Sequence, residues 1–222
     1  MSVRTEELCR RLPYWELLTE KEKKLVSENS YLRRFASGEL VHGGGRDCLG
    51  QVTVISGELR NYLLSDEGKE VTLFMLRRGE PCVLSSSCIL SQLTFDTQIS
   101  ATEDTELLIV SLGVFQRISE ENTDMKLYTY ELALERFSQV METMQRILFL
   151  SFDRRLAAFL VDEYERTGSP ELRMTHEQIA ARISSAREVV ARMLKRFSAE
   201  GLVESERGMI RLTDIEGLRS LL

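Results

Sequence analysis

The sequence predicts an α+β protein in which an N-terminal antiparallel β-roll of the jelly-roll type precedes a long helix and a C-terminal winged helix-turn-helix. Three observations predict this order. Short, glycine-punctuated runs rich in β-branched residues fill 31–111. An amphipathic stretch without glycine or proline follows over 121–149. Two closely spaced helix-start signals and a short hairpin pattern occupy 171–212.

The composition is that of an ordinary soluble protein. The chain has 222 residues, enough for two domains, with 43% hydrophobic and 29% charged residues. No apolar run approaches the roughly 18 residues that a membrane span needs. The N-terminus has neither the continuous apolar segment nor the cleavage pattern of a secretory signal. We therefore expect a cytoplasmic protein with reduced thiols and no membrane partner.

The first domain is expected to cover 1–118. A helical stretch over Glu6–Asn29 opens it. The strand-like runs that follow lie between glycines, as in an antiparallel barrel or jelly roll. These runs are Gln51–Ile55, Glu58–Leu64, Val71–Leu76 and Thr105–Ser111.

The second segment, 119–150, is expected to be one long helix. Apolar residues alternate there at spacings of four and three, which is typical of a coiled-coil seam. The seam consists of Ala133, Phe137, Val140, Met144 and Ile147, widened by Leu132, Met141 and Leu148. So wide an apolar face predicts a homodimer formed through Glu121–Phe149. A long helix buried wholly within one subunit is the alternative.

The third segment, 151–222, begins with a predicted helix over Phe152–Thr167 that is ended by Gly168. Thr175 and Gln178 then form a capping-box pattern that starts a second helix. Ser185 and Glu188 repeat that pattern only ten residues later, so a third helix is expected to start there.

Positive charge is concentrated on that third helix. The whole chain carries a net charge of −6, yet Arg182–Arg196 contains five basic residues and one acidic residue, a local charge of +4. Because binding to phosphates needs local rather than global positive charge, this helix is a candidate for insertion into the DNA major groove. A helical hairpin with a solvated charged face is the alternative.

A hairpin pattern follows the two helices. Leu202–Ser205 and Met209–Leu212 are short strand-like runs around Glu206-Arg207-Gly208. A helix-turn-helix followed by a hairpin is a winged helix, in which Arg207 and Arg211 would contact phosphates.

With these features the chain resembles the cyclic-AMP receptor and FNR (Crp/Fnr) family of bacterial transcription regulators. Residues 185–195, Ser-Ala-Arg-Glu-Val-Val-Ala-Arg-Met-Leu-Lys, are similar to the recognition-helix pattern of that family. The resemblance implies base contacts from Arg187, Glu188 and Arg192. The full set of candidate DNA-binding residues is Thr175, Ser184, Ser185, Arg187, Glu188, Arg192, Lys195, Arg196 and Arg207.

The resemblance also implies partners. A dimer of such units would bind double-stranded DNA at a palindrome with TGTGA-like half-sites one helical turn apart. A regulator of this family would meet RNA polymerase, and the turn over Glu163–Glu171 is a candidate contact. The N-terminal domain would be a cupin-like effector sensor of the cyclic-nucleotide-binding type.

The effector itself is unknown. Cyclic-nucleotide sites of this fold pair a Gly-Glu turn with an arginine about ten residues later. Gly79-Glu80 is present, but 79–116 contains neither lysine nor arginine, which argues against cyclic AMP. A small uncharged or weakly acidic molecule held by Ser85, Ser86 and Ser87 is one expectation.

Cysteines offer a second possibility for the sensor. Pro81 suits the first position of a helix, which would place Cys82 in the first turn, where its thiol pKa falls. Cys82 and Cys88 are therefore candidates for thiol-based sensing, and buried packing is the competing interpretation. The candidate effector residues are Glu80, Cys82, Ser85, Ser86, Ser87 and Cys88.

Other chemistries fit the sequence less well. The four cysteines, Cys9, Cys48, Cys82 and Cys88, match the number that an iron–sulfur cluster needs, but not the spacing. His42 is the single sensor histidine and is more typical of a turn than of a haem ligand, so no metal site is expected. A thiol oxidoreductase is disfavoured because no Cys-x-x-Cys occurs, and no enzyme is predicted. A ligand-binding regulatory subunit without DNA contact stays an alternative.

Overall fold

The computed structural model describes residues 3–43, 49–82, 97–206 and 208–222. The chain divides into two compact units, each with its own core. The first comprises Met1–Gly68 with Leu73–Val140, and the second comprises Lys69–Thr72 with Met141–Leu222. Among the described helices, none is both long and apolar enough to span a membrane.

The N-terminal helical stretch is broken into three short pieces. They are α1 (Val3–Cys9), a 3₁₀ turn (Trp15–Leu17) and α2 (Glu20–Glu28). The expectation of one helical stretch over Glu6–Asn29 is thus only partly correct. Pro13 lies between α1 and the 3₁₀ turn and has no amide hydrogen to continue a helix.

Two four-stranded antiparallel sheets build the roll of the first unit. Their strand orders are β1-β8-β3-β6 and β2-β7-β4-β5. The strands are β1 (Ser30–Phe35), β2 (Leu40–His42), β3 (Gln51–Ser56), β4 (Leu59–Leu64), β5 (Glu70–Leu76), β6 (Pro81–Cys82), β7 (Gln98–Ala101) and β8 (Thr105–Val110). All four predicted strands are confirmed, as β3, β4, β5 and β8.

The interior of the roll is a single apolar cluster that draws side chains from both sheets. Val52, Ile109 and Phe35 enter it from one sheet, and Leu59 and Ile99 enter it from the other. A second cluster lies where the N-terminal helices pack on the outside of β8. The predicted β-roll fold is therefore confirmed.

One local expectation in the roll is wrong. Pro81 and Cys82 form the edge strand β6, paired antiparallel with Thr53 and Val52 of β3, and not the first turn of a helix. Proline suits an edge strand as well as a helix start, because neither position requires its missing N–H. Cys82 therefore does not lie at a helix terminus, where a dipole could act on its thiol.

Two helices follow the roll, α3 (Leu112–Glu121) and α4 (Thr123–Phe149). One long helix was expected over 119–150, but Asn122 separates α3 from α4. The Asn122 side-chain oxygen accepts hydrogen bonds from the amides of Asp124 (3.0 Å) and Met125 (3.1 Å), so it starts α4. An uncapped helix end would leave these amides without partners.

Helix α4 has a buried side and an exposed apolar side. Met125, Thr129, Leu132 and Arg136, spaced by four, three and four residues, are buried. The other side, which we call the exposed seam, consists of Leu127, Tyr130, Leu134, Phe137, Met141, Met144 and Leu148. Its members alternate at spacings of three and four, the pattern of a coiled-coil interface.

The exposed seam corrects the register of the seam expected from sequence. Four residues belong to both seams, namely Phe137, Met141, Met144 and Leu148. Ala133, Val140 and Ile147 are only half-exposed. Val140 packs against the apolar cluster of the roll, and Leu132 is buried. Several parallel rows on an apolar helix share the same spacing, so only burial shows which row faces outward.

Beyond the end of α4, the described part of the second unit has four helices and a small antiparallel sheet of order β10-β11-β9. Its elements are α5 (Phe152–Thr167), β9 (Glu171–Leu172), α6 (His176–Arg182), α7 (Arg187–Ala199), β10 (Val203–Glu206), β11 (Met209–Leu212) and α8 (Ile215–Ser220). Helix α5 matches its predicted bounds and ends at Gly168, whose φ of 68° is left-handed. One apolar core joins all of these elements.

Candidate DNA-binding interface

Helix α6 begins as the sequence predicts. The Thr175 hydroxyl accepts from the Gln178 amide at 3.2 Å, and the Gln178 side chain accepts from the Thr175 amide at 2.8 Å. This is a complete capping box. Ile179 and Ala180 are buried in the core of the unit, so α6 is fixed both at its start and along its inner face.

The turn between α6 and α7 differs from expectation. Ser184 has a φ of 52°, the one positive value among the described non-glycine residues. The Ser185 amide donates to the Ala180 carbonyl at 2.9 Å, which closes α6 in the manner of a Schellman motif. Ala186 is the N-cap of α7 and makes no side-chain capping bond, so the expected Ser185–Glu188 capping box is wrong.

One side of helix α7 packs into the core of the second unit. Val190, Leu194 and Phe197 recur at spacings of four and three, and each is fully buried. Arg155 of α5 supports the turn in front of this helix, because its Nη1 donates to the Ile183 carbonyl at 3.3 Å. Burial lowers the pKa of Arg155. The sequence pattern gave no signal for this contact.

The opposite side of α7 faces outward and is mostly basic. Glu188, Arg192 and Lys195 are exposed at spacings of four and three, so they share one helical face. Arg187 is exposed in the first turn. Within the described part of the chain, Arg187, Arg192 and Lys195 form no ion pair, so their charges are available to an outside partner.

Arg196 differs from these residues. Its Nε donates to Glu200 at 2.8 Å, and its Nη1 lies 3.9 Å from Asp153. The hydrogen bond and charge of Glu200 raise the pKa of Arg196. Because two carboxylates of its own chain already face this guanidinium, its charge is partly neutralised.

The wing is an antiparallel pair, with Val203 opposite Leu212 and Glu206 opposite Met209. The predicted hairpin is thus present, and Gly208 in its turn has a φ of 77°. Arg207 lies outside the described residues. Arg211 is paired with Glu171 at 3.0 Å and with Glu204 at 3.6 Å.

The candidate effector residues of the first unit are only partly described. The Glu80 carboxylate accepts from the Arg77 amide at 2.8 Å and so closes the turn before β6. Cys82 is buried within the apolar cluster of the roll, and Cys9 is buried in the separate cluster outside β8. Ser85, Ser86, Ser87, Cys88 and Cys48 lie outside the described residues.

Burial raises the pKa of the Cys9 thiol. His42, buried on β2, and the two described cysteines belong to no cluster of three or more metal-ligating side chains among the residues with described positions. Cys82 packs among apolar side chains of the roll, which does not favour the thiol-redox alternative.

The fold and this interface together define the class of the protein. A capped helix, a tight turn, a second helix with an exposed basic face and an antiparallel wing are a winged helix-turn-helix, a DNA-binding architecture. The preceding roll and long helix add a separate N-terminal domain. The class is that of two-domain transcription regulators.

Comparison with known proteins agrees. Residues 154–221 match the family model of the Crp-like helix-turn-helix domain. A solved structure described as a transcriptional regulator of the Crp/Fnr family from Eubacterium rectale is 40% identical, with a TM-score of 0.89, covering 96% of this chain and 98% of that one. The chain therefore belongs to the Crp/Fnr family of transcription regulators, which carry a helix-turn-helix DNA-binding domain and are not enzymes.

Curated relatives are more distant. The transcriptional regulator SdrP of Thermus thermophilus is 28% identical over 177 residues, which cover 76% of this chain and 81% of SdrP. The transcriptional regulatory protein Btr of Bordetella pertussis is 28% identical over 129 residues, and that match spans only 53% of Btr.

Proposed function

We propose that this regulator is an effector-controlled homodimer that binds palindromic DNA through the outward face of α7. The observation that carries the proposal is the exposed row formed by Glu188, Arg192 and Lys195. Its basic members have no ion pair within the described residues, and the helix is held rigidly from behind by Val190, Leu194 and Phe197. A rigid helix with an unneutralised outer face suits the major groove.

Individual roles follow from side-chain chemistry. Arg187 and Arg192 can each donate two hydrogen bonds to the O6 and N7 atoms of guanine, and Glu188 can accept from the N4 amino group of cytosine. Lys195, further along the same face, suits a phosphate as a point charge. The remaining candidates, Thr175, Ser184, Ser185 and Arg207, would contribute phosphate contacts that position the unit.

Pairing with two carboxylates makes Arg196 a weaker candidate for DNA binding than the sequence suggested. Its guanidinium already faces Glu200 and Asp153. A phosphate contact would have to compete with these carboxylates. We therefore place Arg196 at the margin of the interface, and Arg192 at its centre.

The exposed seam of α4 supports the dimer. It presents seven large apolar side chains, of which Leu134 is 65% and Leu148 66% exposed. A contiguous apolar strip of this kind is costly in water and marks an interaction surface. A second copy of α4 fits it best, because a partner helix with the same heptad pattern interlocks along its whole length.

A dimer built on a two-fold axis requires a two-fold DNA site. Two copies of α7 would contact half-sites of the TGTGA type, one helical turn apart. RNA polymerase is a further expected partner. Of the proposed contact over Glu163–Glu171, Glu163 is buried and bonded to Arg166, so the exposed residues there are 165–168 and Pro170.

Effector control rests on the roll, whose interior collects side chains from both sheets. An effector bound there would favour one of two pre-existing arrangements of the protein, which is a population shift.

The proposal is tested by fluorescence anisotropy with a labelled duplex carrying two TGTGA-type half-sites, and with a scrambled duplex of the same length and composition as control. A sequence-reading dimer binds the palindrome more tightly by roughly a factor of 10³ or more, with an affinity that falls steeply as salt rises. Equal, weak affinity for both duplexes, with and without cell extract as a source of effector, contradicts the proposal.

A further inference from the structure

Arg136 of α4 is a buried cation of the first unit. Its side chain is only 3% exposed. Nη2 donates to the Pro81 carbonyl at 3.3 Å, and Nη1 donates to the Gln139 side chain at 2.8 Å. The guanidinium carbon lies 5.3 Å from the centre of the Phe74 ring. Nε is buried and has no hydrogen-bond partner in the described structure.

Every neighbour in this set is electrically neutral. Arginine stays protonated in a protein, so Arg136 carries its full positive charge. Removing such a charge from water is strongly unfavourable unless an anion and further hydrogen bonds compensate. A carbonyl, an amide and an aromatic ring compensate only in part. A negative charge close to the buried Nε would therefore stabilise the Arg136 guanidinium.

A second buried polar group faces the same apolar cluster. Asn61 of β4 is fully buried and lies opposite Ile99 of β7. It is two residues from Leu59, so both side chains lie on the same face of the sheet, and Leu59, Ile99 and Phe74 all belong to the roll cluster. The Asn61 amide nitrogen donates to the Thr97 hydroxyl at 3.3 Å, whereas its oxygen has no partner in the described structure.

We propose that the effector of this regulator is a small organic anion, with its carboxylate-class group on the Arg136 guanidinium and an apolar body against the roll cluster. Asn61 would accept a hydrogen bond from a hydroxyl or N–H group of that molecule. This inference rests on the effector control proposed above and specifies the charge class and anchor residue of the effector.

Arg136 differs in position from the arginine that cyclic-nucleotide sites carry shortly after their Gly-Glu turn. The absence of lysine and arginine over 79–116 left no cation in the roll segment that follows Gly79-Glu80. Arg136 supplies one from the long helix, 55 residues beyond Pro81. Because Arg136 lies on α4, a ligand bound to it would directly contact the helix that carries the exposed seam.

Thermal unfolding of the full-length protein provides the test. The probes are straight-chain carboxylates from acetate to octanoate and benzoate, each compared with the alcohol of the same carbon skeleton. We expect at least one carboxylate to raise the midpoint of wild type by on the order of 5 °C at saturation, in a concentration-dependent way, and its alcohol to have no such effect. Arg136→Met removes the response, and Arg136→Lys weakens it.

The same variants are compared without probe. If Arg136 serves an anion, Arg136→Met removes an uncompensated buried charge and raises the midpoint by about 2 to 4 °C. Arg146→Met is the matched control, because Arg146 lies on the same helix but is paired with Glu142 at 2.8 Å and Asp162 at 3.1 Å. It should leave the carboxylate response intact and not raise the midpoint.

The proposal requires both results. A wild type that responds to no carboxylate, or equally to the matched alcohol, overturns it. So does a lower midpoint for Arg136→Met without probe, which would make Arg136 a structural clamp between α4 and β6. Anisotropy with the palindromic duplex distinguishes anion binding from effector control. If a carboxylate raises the midpoint through Arg136 but does not change the DNA affinity, the anion site is supported and effector control is refuted.

Discussion

The backbone amide of Ser185 donates to the carbonyl oxygen of Ala180 at 2.9 Å, so Ser185 closes helix α6 and does not open α7. The left-handed backbone of Ser184 allows this closure. The turn is thereby fixed by backbone bonds and by Arg155 beneath it. Helix α7 then begins at Arg187 with its first turn free of any side-chain cap.

The first prediction compares two candidate caps. Thr175→Ala removes a formed capping box and should lower the free energy of unfolding by about 1 kcal/mol, which lowers Tm by about 2 to 4 °C. Ser185→Ala is the matched control and should change stability by less than about 0.5 kcal/mol. Thermal and urea unfolding measure both. Equal losses would mean that Ser185 caps α7 after all.

The second prediction concerns base recognition. Arg192→Ala should cost roughly 1–3 kcal/mol on the cognate duplex and reduce discrimination at one base position, because a bidentate contact to guanine is lost. Arg196→Ala should cost less, since Glu200 and Asp153 already partly neutralise that side chain. Anisotropy on cognate and scrambled duplexes measures the difference. If Arg192→Ala weakens both duplexes equally, Arg192 contacts only phosphate.

The third prediction concerns assembly. Leu134→Glu places a charge in the middle of the exposed seam and should shift the protein from dimer to monomer in sedimentation velocity. Ser138→Glu introduces the same charge at an exposed position of α4 outside the seam and should leave the dimer intact. The reason is that burying an uncompensated carboxylate at a helix interface costs several kcal/mol. A dimer that persists in Leu134→Glu would place the dimer contact elsewhere.

The fourth prediction concerns alkaline stability. Burial raises the pKa of Tyr128 from 10.0 to about 12. A raised folded-state pKa means that the stabilising contribution is complete below about pH 10 and is lost as pH rises towards 12. Tyr128→Phe should therefore flatten the fall in unfolding free energy between these values, whereas Tyr31→Phe, an exposed tyrosine on β1, should not. Identical curves for Tyr128→Phe and wild type would refute the assignment.

Local signals in the sequence predicted much of this architecture. The Thr175 capping box and the Gly168 stop depend on residues within one turn of each other. The four predicted strands follow directly from their β-branched runs. The basic outer face of α7 was likewise visible in residue spacing alone, because the helix is regular.

Contacts between distant segments account for what was missed. Cys82 is extended because it pairs with Val52 on another strand, and no residue beside it reveals that. The burial of Arg136 depends on β5 and β6, to which its sequence neighbours do not point. The outward row of α4 could not be chosen among parallel apolar rows until burial was known. The pairing of Arg196 with Asp153 spans two helices.

The most direct test of the central claim is a titration of the palindromic duplex beside a duplex in which one half-site is scrambled. A two-fold dimer that recognises bases through α7 should lose affinity by a factor of about 10² or more when one half-site is destroyed, and Arg192→Ala should lessen that difference. If one intact half-site binds as tightly as two, the protein does not recognise a palindrome as a two-fold dimer.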